Sequence, residues 1–137
     1  LQDQCARVAL DRGYIKTLAG RRCHFDLWEH KYDDSMPLPL EEAREKYGDV
    51  LKRSYTYKAL NRLIQGSAAD MTKLAMLGLW EEGIVPHVQV HDEVDISIED
   101  DEQAAKVSRI MENCVELAVP LVVDTELGAS WGETEEI

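Results

Sequence analysis

The stretch that most constrains this chain is His87-Val88-Gln89-Val90-His91-Asp92-Glu93-Val94-Asp95-Ile96-Ser97-Ile98. Val88 and Val90 alternate with polar residues before a His-Asp-Glu triplet, and Val94, Ile96 and Ile98 alternate after it. That is the period-two pattern of two half-buried strands. If His91, Asp92 and Glu93 form a three-residue loop, Val90 faces Val94 and Val88 faces Ile96, so all five apolar side chains share one face. A two-residue loop would send the two apolar sets to opposite faces, because side-chain direction alternates along a strand. The expectation is a β-hairpin with Asp92 at a three-residue tip. Such a tip has two readings: Asp is common in turns for local reasons, or the carboxylate is presented to a metal.

With 137 residues, 45% of them hydrophobic, the chain suits one modest domain with a core. No apolar run approaches the roughly 18 residues of a membrane span, so a soluble protein with no membrane partner is expected. The sequence starts at Leu1 with no charged n-region and apolar h-region, which gives no signal peptide and the look of the C-terminal part of something longer. Cys5, Cys23 and Cys114 are odd in number and widely spaced, which argues against a disulfide framework or a paired-cysteine metal site and fits a reducing cytoplasm.

The net charge of -12 would by itself oppose a polyanionic partner, but the charge is unevenly spread. Residues 1–73 hold 13 Lys and Arg against 11 Asp and Glu, whereas residues 74–137 hold 2 against 16. A nucleic-acid or phosphate contact therefore belongs in the first half, with solvated or metal-binding acid in the second.

Residues 1–11 read as a helix with Cys5, Val8 and Ala9 on one face, stopped at Arg12-Gly13 by a left-handed glycine cap. A short strand over residues 14–18 turns at Ala19-Gly20 into Arg21-Arg22-Cys23-His24-Phe25. Two arginines past a turn are either solvated surface or a phosphate grip, since guanidinium offers a planar donor fork. Residues 26–39 read as an irregular connection, and residues 40–52 as a short charged helix with Pro39 suited to its first turn.

Residues 55–82 carry the longest helical signal, with Leu60, Leu63, Ile64, Met71, Leu74 and Ala75 forming an apolar stripe. Lys58, Asn61 and Gln65 stack along another edge with Arg62 beside them, a row of donors that is either plain surface or a ligand face. Gly66, Ser67, Ala68 and Ala69 would let a backbone or ligand approach closely. Beyond the hairpin, a helix starts over residues 99–102 and buries Ala104, Val107, Met111, Cys114, Val115 and Ala118. A strand with Leu121, Val123, Thr125 and Leu127 on one face follows Pro120. Trp131 is expected to pack back on the core, ahead of a solvated tail over residues 133–136. The fold class is α+β: an antiparallel sheet with a central metal-site hairpin, covered by helices on one side.

Five ordered blocks carry a resemblance. They are Gly13-Tyr14-Ile15-Lys16-Thr17-Leu18-Ala19-Gly20-Arg21-Arg22, Asn61-Arg62-Leu63-Ile64-Gln65-Gly66-Ser67-Ala68-Ala69-Asp70, Val88-Gln89-Val90-His91-Asp92-Glu93-Val94, Val119-Pro120-Leu121 and Gly128-Ala129-Ser130-Trp131. Together they resemble the C-terminal, palm-containing end of family A DNA polymerases, the bacterial DNA polymerase I type. Residues 26–54 depart from the bacterial pattern and are similar to the variable insertions of phage and viral members, so a bacterial or phage-infected cytoplasm is expected.

The resemblance implies roles. Asp92 is the hairpin aspartate that ligates the catalytic metals, Glu93 an acidic auxiliary, and His91 a neighbour of the primer terminus. Asn61 and Gln65 touch the minor groove of primer-template DNA, whose acceptors occur in every base pair, and Arg21 and Arg22 contact the template strand. The implied reaction is template-directed nucleotidyl transfer from a dNTP to a primer 3′-hydroxyl. It uses two Mg²⁺ ions that stabilise entering and leaving oxygens, held by hard oxygen ligands. The family's second metal aspartate lies in a DYSxIELR-like motif and its dNTP-gripping helix in an RxxxKxxxxxxYG-like pattern. Neither occurs in these 137 residues. The expectation is a chain that completes its two-ion site only with an N-terminal remainder, in cis or as a separate chain, and is inactive alone. Two other classes remain open: a metal-dependent phosphohydrolase or nuclease using His91, Asp92, Glu93 and Asp95, and a non-catalytic DNA-binding remnant.

Overall fold

A computed structural model describes residues 1–136. The chain divides into two compact units, residues 1–67 and residues 68 onward.

In the first unit, helix α1 (Gln2–Arg12) buries Cys5 and Ala9 and ends at Gly13, whose φ of 77° puts it in the left-handed region. The Gly13 N–H closes the helix on the Ala9 carbonyl at 2.9 Å, the glycine cap expected from the sequence. Gly13 has a second reason to lack a side chain: a Cβ there would sit 2.8 Å from Cζ of Arg53. Strands β1 (Tyr14–Lys16) and β2 (Arg22–His24) then form an antiparallel hairpin. Ile15 and Phe25 complete a core with Cys5, Ala9 and Ala59, against which Val8, Cys23, Tyr55, Leu60 and Leu63 pack.

Residues 26–39 are more regular than their Pro, Ser and Asp content predicts. Strand β3 (Leu27–His30) pairs with both β4 (Leu38–Pro39) and β5 (Leu51–Arg53). Helix α2 (Leu40–Tyr47) buries Ala43 and ends at Tyr47, five residues short of the expected end at Lys52, with Gly48 as its C-cap. Pro39 is its N-cap rather than a member of its first turn. Long-range polar contacts make this segment regular: the Ser54 hydroxyl donates to Glu29 at 2.8 Å, Lys52 pairs with Glu29 at 3.2 Å, and Arg53 stacks 4.4 Å over Trp28 while donating to the Phe25 carbonyl. Local pattern reading has no access to such contacts.

A single 3-10 turn (Thr56–Lys58) leads into α3 (Ala59–Glu81), whose first residues belong to this unit.

In the second unit, the rest of α3 buries Ala75 and Leu79 and ends at Gly83, φ 75°. Strands β6 (Val88–Val90) and β7 (Glu93–Asp95) form the expected hairpin. Helix α4 (Asp101–Glu112) begins with a reciprocal cap, Asp100 accepting from the Gln103 N–H at 2.8 Å and Gln103 accepting from the Glu99 N–H at 2.6 Å. Gly78 permits close approach to α4, since a Cβ there would meet Ile110 Cγ2 at 3.0 Å. The helix stops before Cys114 and Val115, which remain half-buried, and Ala118 is exposed.

Two expectations for the end of the chain need correction. Leu121, Val123, Thr125 and Leu127 are half-buried and their neighbours exposed, as alternation predicts, yet only β8 (Glu126–Gly128) is paired. Its partner is β9 (Thr134–Glu136), inside the expected solvated tail. Trp131, in the turn between them, is 71% exposed rather than packed on the core.

The architecture is mixed, helices with small antiparallel sheets. The single helix-covered sheet gives way, among the described residues, to three two-stranded ladders and one three-stranded sheet. Strands of two to four residues have few ladder bonds each, and the partner a strand finds is a tertiary matter that period-two patterning does not encode.

Candidate functional site

The hairpin bearing Asp92 has a different register from the expected one. Val88 lies opposite Asp95, Gln89 opposite Val94 and Val90 opposite Glu93, so His91 and Asp92 alone form the turn and Glu93 opens β7. His91 has φ 55°, the positive φ that tight two-residue hairpin turns require at their first position. The Gln89 side-chain amide donates to the His91 carbonyl and braces the turn. A three-residue loop would have followed only if all five apolar side chains shared one buried face. Val88 and Val90 instead share a face with Glu93 and Asp95 and are 43% and 38% exposed, while Val94 and Ile96 are half-buried. The placement of Asp92 at the tip stands, and His91, Asp92 and Glu93 are all exposed.

The donors at this tip suit a hard cation in kind, since carboxylate oxygens are what Mg²⁺ accepts. They fall short in number: among the described residues no group of three or more His, Cys, Asp or Glu is arranged to hold a metal ion. A groove of about 640 Å³ in the same unit is lined by Leu74, Gly78, Lys106, Ile110 and their neighbours, none of them on the hairpin. Two titrating groups on that groove are perturbed. Glu82 is held below the usual carboxylate value by its 2.8 Å bond and charge pairing with Lys106, and partial burial pushes the Cys114 thiol up.

Of the nucleic-acid candidates, His91 lies in the second unit, whereas Arg21, Arg22, Asn61 and Gln65 lie in the first. On α3, Asn61, Ile64, Gln65 and Ala68 form one exposed edge, while Arg62, Leu63, Gly66 and Ser67 are half-buried. Ile64, assigned from its spacing to the apolar stripe, is 58% exposed and lies on the amide edge. Arg62, expected to extend the donor row, instead donates to the His24 carbonyl at 2.9 Å and stacks 4.6 Å over Phe25. Lys58 is exposed over the Tyr55 and Tyr57 rings, at 4.7 and 5.6 Å.

The small residues after Gln65 do hold a close neighbour, the β1–β2 hairpin. A Cβ on Gly66 would sit 2.8 Å from Thr17 Cγ2. The Ser67 hydroxyl accepts from the Leu18 N–H at 3.0 Å and donates to the Leu63 carbonyl at 2.7 Å. Arg21 donates to the Gly66 carbonyl at 2.9 Å. Arg22 points to the other side of its strand, 4.7 Å over the Tyr14 ring. The adjacent arginines thus do different work. Sequence reading singled out Gly66 and Ser67 as a place of close approach but missed Thr17, and did not identify the β1–β2 hairpin as the neighbour they join to α3. The available signal was a Gly-Ser pair inside a long helix, where an interior glycine costs helix propensity and so has a packing reason.

The sequence profile described as DNA polymerase family A matches residues 1–133. The chain belongs to DNA polymerase family A. It is similar to the DNA-directed DNA polymerase of Pseudomonas phage M6, 40% identical over 134 residues that cover 98% of this chain and 17% of that protein. It is also similar to DNA polymerase I of Lactococcus lactis subsp. lactis (strain IL1403), 31% identical over 149 residues, 97% of this chain and 14% of that one. Among solved structures it is similar to the POL domain of Pol1 from M. smegmatis in complex with DNA primer-template and dNTP. That match has a TM-score of 0.59 at 29% identity and covers 88% of this chain and 20% of the other. This family A chain therefore spans less than a fifth of the phage and lactococcal relatives. Its mixture of helices and small antiparallel sheets is that of a polymerase domain. Among the described residues no helix is long and apolar enough to cross a membrane.

Proposed function

We propose that this chain is the C-terminal, palm-containing part of a family A DNA polymerase, with a variable insertion at about residues 26–54, and that it serves template-directed DNA synthesis. The observation that carries this reading is the family match over residues 1–133, joined to an exposed aspartate at a hairpin tip. In this reading Asp92 holds catalytic Mg²⁺ with Glu93 as acidic auxiliary. When bound, paired divalent ions supply charge stabilisation to the entering and leaving oxygens of an in-line displacement. His91 lies beside the primer terminus. Asn61 and Gln65 donate to minor-groove acceptors common to all base pairs, which senses pair geometry without reading sequence. Arg21 and Arg22 of the β1–β2 hairpin contact the template strand.

The same reading makes the 137 residues insufficient alone. Asp92 and Glu93 do not close a metal site among the described residues, and the DYSxIELR-like and RxxxKxxxxxxYG-like segments that would complete it and hold the dNTP are not in this sequence. The completing residues come from an N-terminal remainder, in cis or as a separate chain.

Primer extension tests this. The purified 137-residue chain should give no template-dependent extension with dNTPs and Mg²⁺, and joining or mixing it with the upstream polymerase segment should restore it. In that assembly Asp92→Asn should cut the rate by at least about a hundredfold, since metal-borne charge stabilisation is worth several kcal/mol, with primer-template affinity within a few fold. Extension by the isolated chain would overturn the insufficiency. A magnesium-dependent nuclease activity of the isolated chain that Asp92→Asn abolishes would replace polymerase with phosphohydrolase.

A further inference from the structure

Tyr14 lies opposite His24 in the β1–β2 ladder and Lys16 opposite Arg22. Directly opposed residues, and residues two apart, share a face of a strand pair. One face of this hairpin therefore carries Tyr14, Lys16, Arg22 and His24, and the other carries buried Ile15 with half-buried Cys23 against the core. Lys16 and Arg22 are exposed. Two like charges directly across a ladder repel, so this pairing is an arrangement that folding alone does not favour and an anion would relieve. The Arg22 guanidinium lies over the Tyr14 ring, its Cζ 4.7 Å from the ring centroid, and the Tyr14 ring is 5.7 Å from that of His24. A guanidinium carries its N–H donors in its own plane, where a phosphate can meet them in pairs. Acid reaches this face through Asp26, 3.9 Å from His24 Nδ1. Arg21, by contrast, donates to the Gly66 carbonyl.

We propose that Lys16 and Arg22 form a two-cation site for the phosphate backbone of the bound DNA, and that Arg21 is a structural tie between this hairpin and α3 rather than a phosphate contact. The proposal rests on the polymerase reading and changes it in two respects: it adds Lys16 to the interface and removes Arg21.

Binding of labelled primer-template duplex to the assembled polymerase, this sequence with the upstream remainder, tests it as a function of salt. Removing one phosphate-binding cation lowers the slope of log K against log salt by about 0.9. Lys16→Ala and Arg22→Ala should each lower it by about that amount and the double variant by about twice as much, equally for two duplexes of unrelated sequence. Arg22→Lys should keep the slope. Arg21→Gln should keep the slope and lower the Tm, whereas Lys16→Ala, by removing a repulsion, should leave the Tm unchanged or raise it. Unchanged slopes for both Lys16→Ala and Arg22→Ala would overturn the site, as would a slope reduced by Arg21→Gln or an effect confined to one duplex sequence. If the wild-type assembly binds duplex and Gln65→Ala weakens it while these slopes stay fixed, only the two-cation site fails. If the wild-type assembly does not bind duplex at all, the polymerase reading fails with it.

Discussion

Gly66→Ala measures how tightly the β1–β2 hairpin sits on α3. The added Cβ would lie 2.8 Å from Thr17 Cγ2, with its next neighbours, Arg21 Nη2 and Cys23 Sγ, at 3.6 and 3.7 Å. Thr17 cannot readily turn away. It is buried, and its hydroxyl accepts from the Arg21 N–H at 3.1 Å and lies 3.3 Å from the Arg21 carbonyl, to which it donates. Overpacking of this kind costs about 1–3 kcal/mol, against a helix-propensity gain of about 1 kcal/mol for Ala over Gly. Strain on the bond from Arg21 to the Gly66 carbonyl adds up to about 1 kcal/mol. Gly66→Ala should therefore destabilise by about 1.5 kcal/mol, the middle of the roughly 0–3 kcal/mol that these contributions span. Thr17→Ser removes the clashing methyl and keeps the hydroxyl, so in that background only the 3.6 and 3.7 Å contacts remain and the substitution should become neutral or stabilising by up to about 1 kcal/mol. The double-mutant cycle should show a coupling of about 2 kcal/mol. Urea unfolding followed through Trp28, with Trp80 and Trp131 changed to Phe, gives the four stabilities. An equal cost of Gly66→Ala in both backgrounds would refute the close approach as its cause.

Asp100→Ala removes the acceptor for the Gln103 N–H and one half of the reciprocal cap of α4, and should cost about 1 kcal/mol in the same urea measurement. Asp100→Asn, which keeps an acceptor oxygen, should cost less. Lys106→Gln tests the Glu82 pairing through pH. Because Lys106 lowers the folded-state pKa of Glu82, the stability from the pair is present above the ordinary carboxylate range and lost as pH falls through the lowered folded value. Lys106→Gln should thus be destabilising at neutral pH and match wild type in acid, and added salt should shrink the neutral-pH difference.

Much of the chain was legible in its residues because it is set by local chemistry. Gly13 and Gly83 stop their helices, Ala19-Gly20 turns the first hairpin, and acid starts α4, each a matter of backbone conformation or capping within a few residues. The candidate site was legible to the same depth. Asp92 at a hairpin tip and an exposed amide edge of Asn61 and Gln65 follow from periodicity alone, and the order of the five blocks pointed to the family.

Tertiary structure decided what depended on partners distant in sequence. The β6–β7 register was one such matter, because alternation fixes which residues share a face but not which face is covered, and Val88 and Val90 turned out exposed. Residues 26–54 were another: Glu29, Lys52, Ser54 and Arg53 tie strands together across a stretch that reads as an irregular connection over residues 26–39 and a helix over residues 40–52. The Arg21-Arg22 pair shows the division most plainly. The sequence by itself determined that two fixed positive charges follow a turn, since guanidinium stays protonated and strand neighbours point apart. Only the tertiary structure decided that Arg21 meets the Gly66 carbonyl and Arg22 meets Tyr14 across from Lys16. The identity of the neighbour on each side of a strand is set by what packs there, across 45 residues of chain in the case of Gly66.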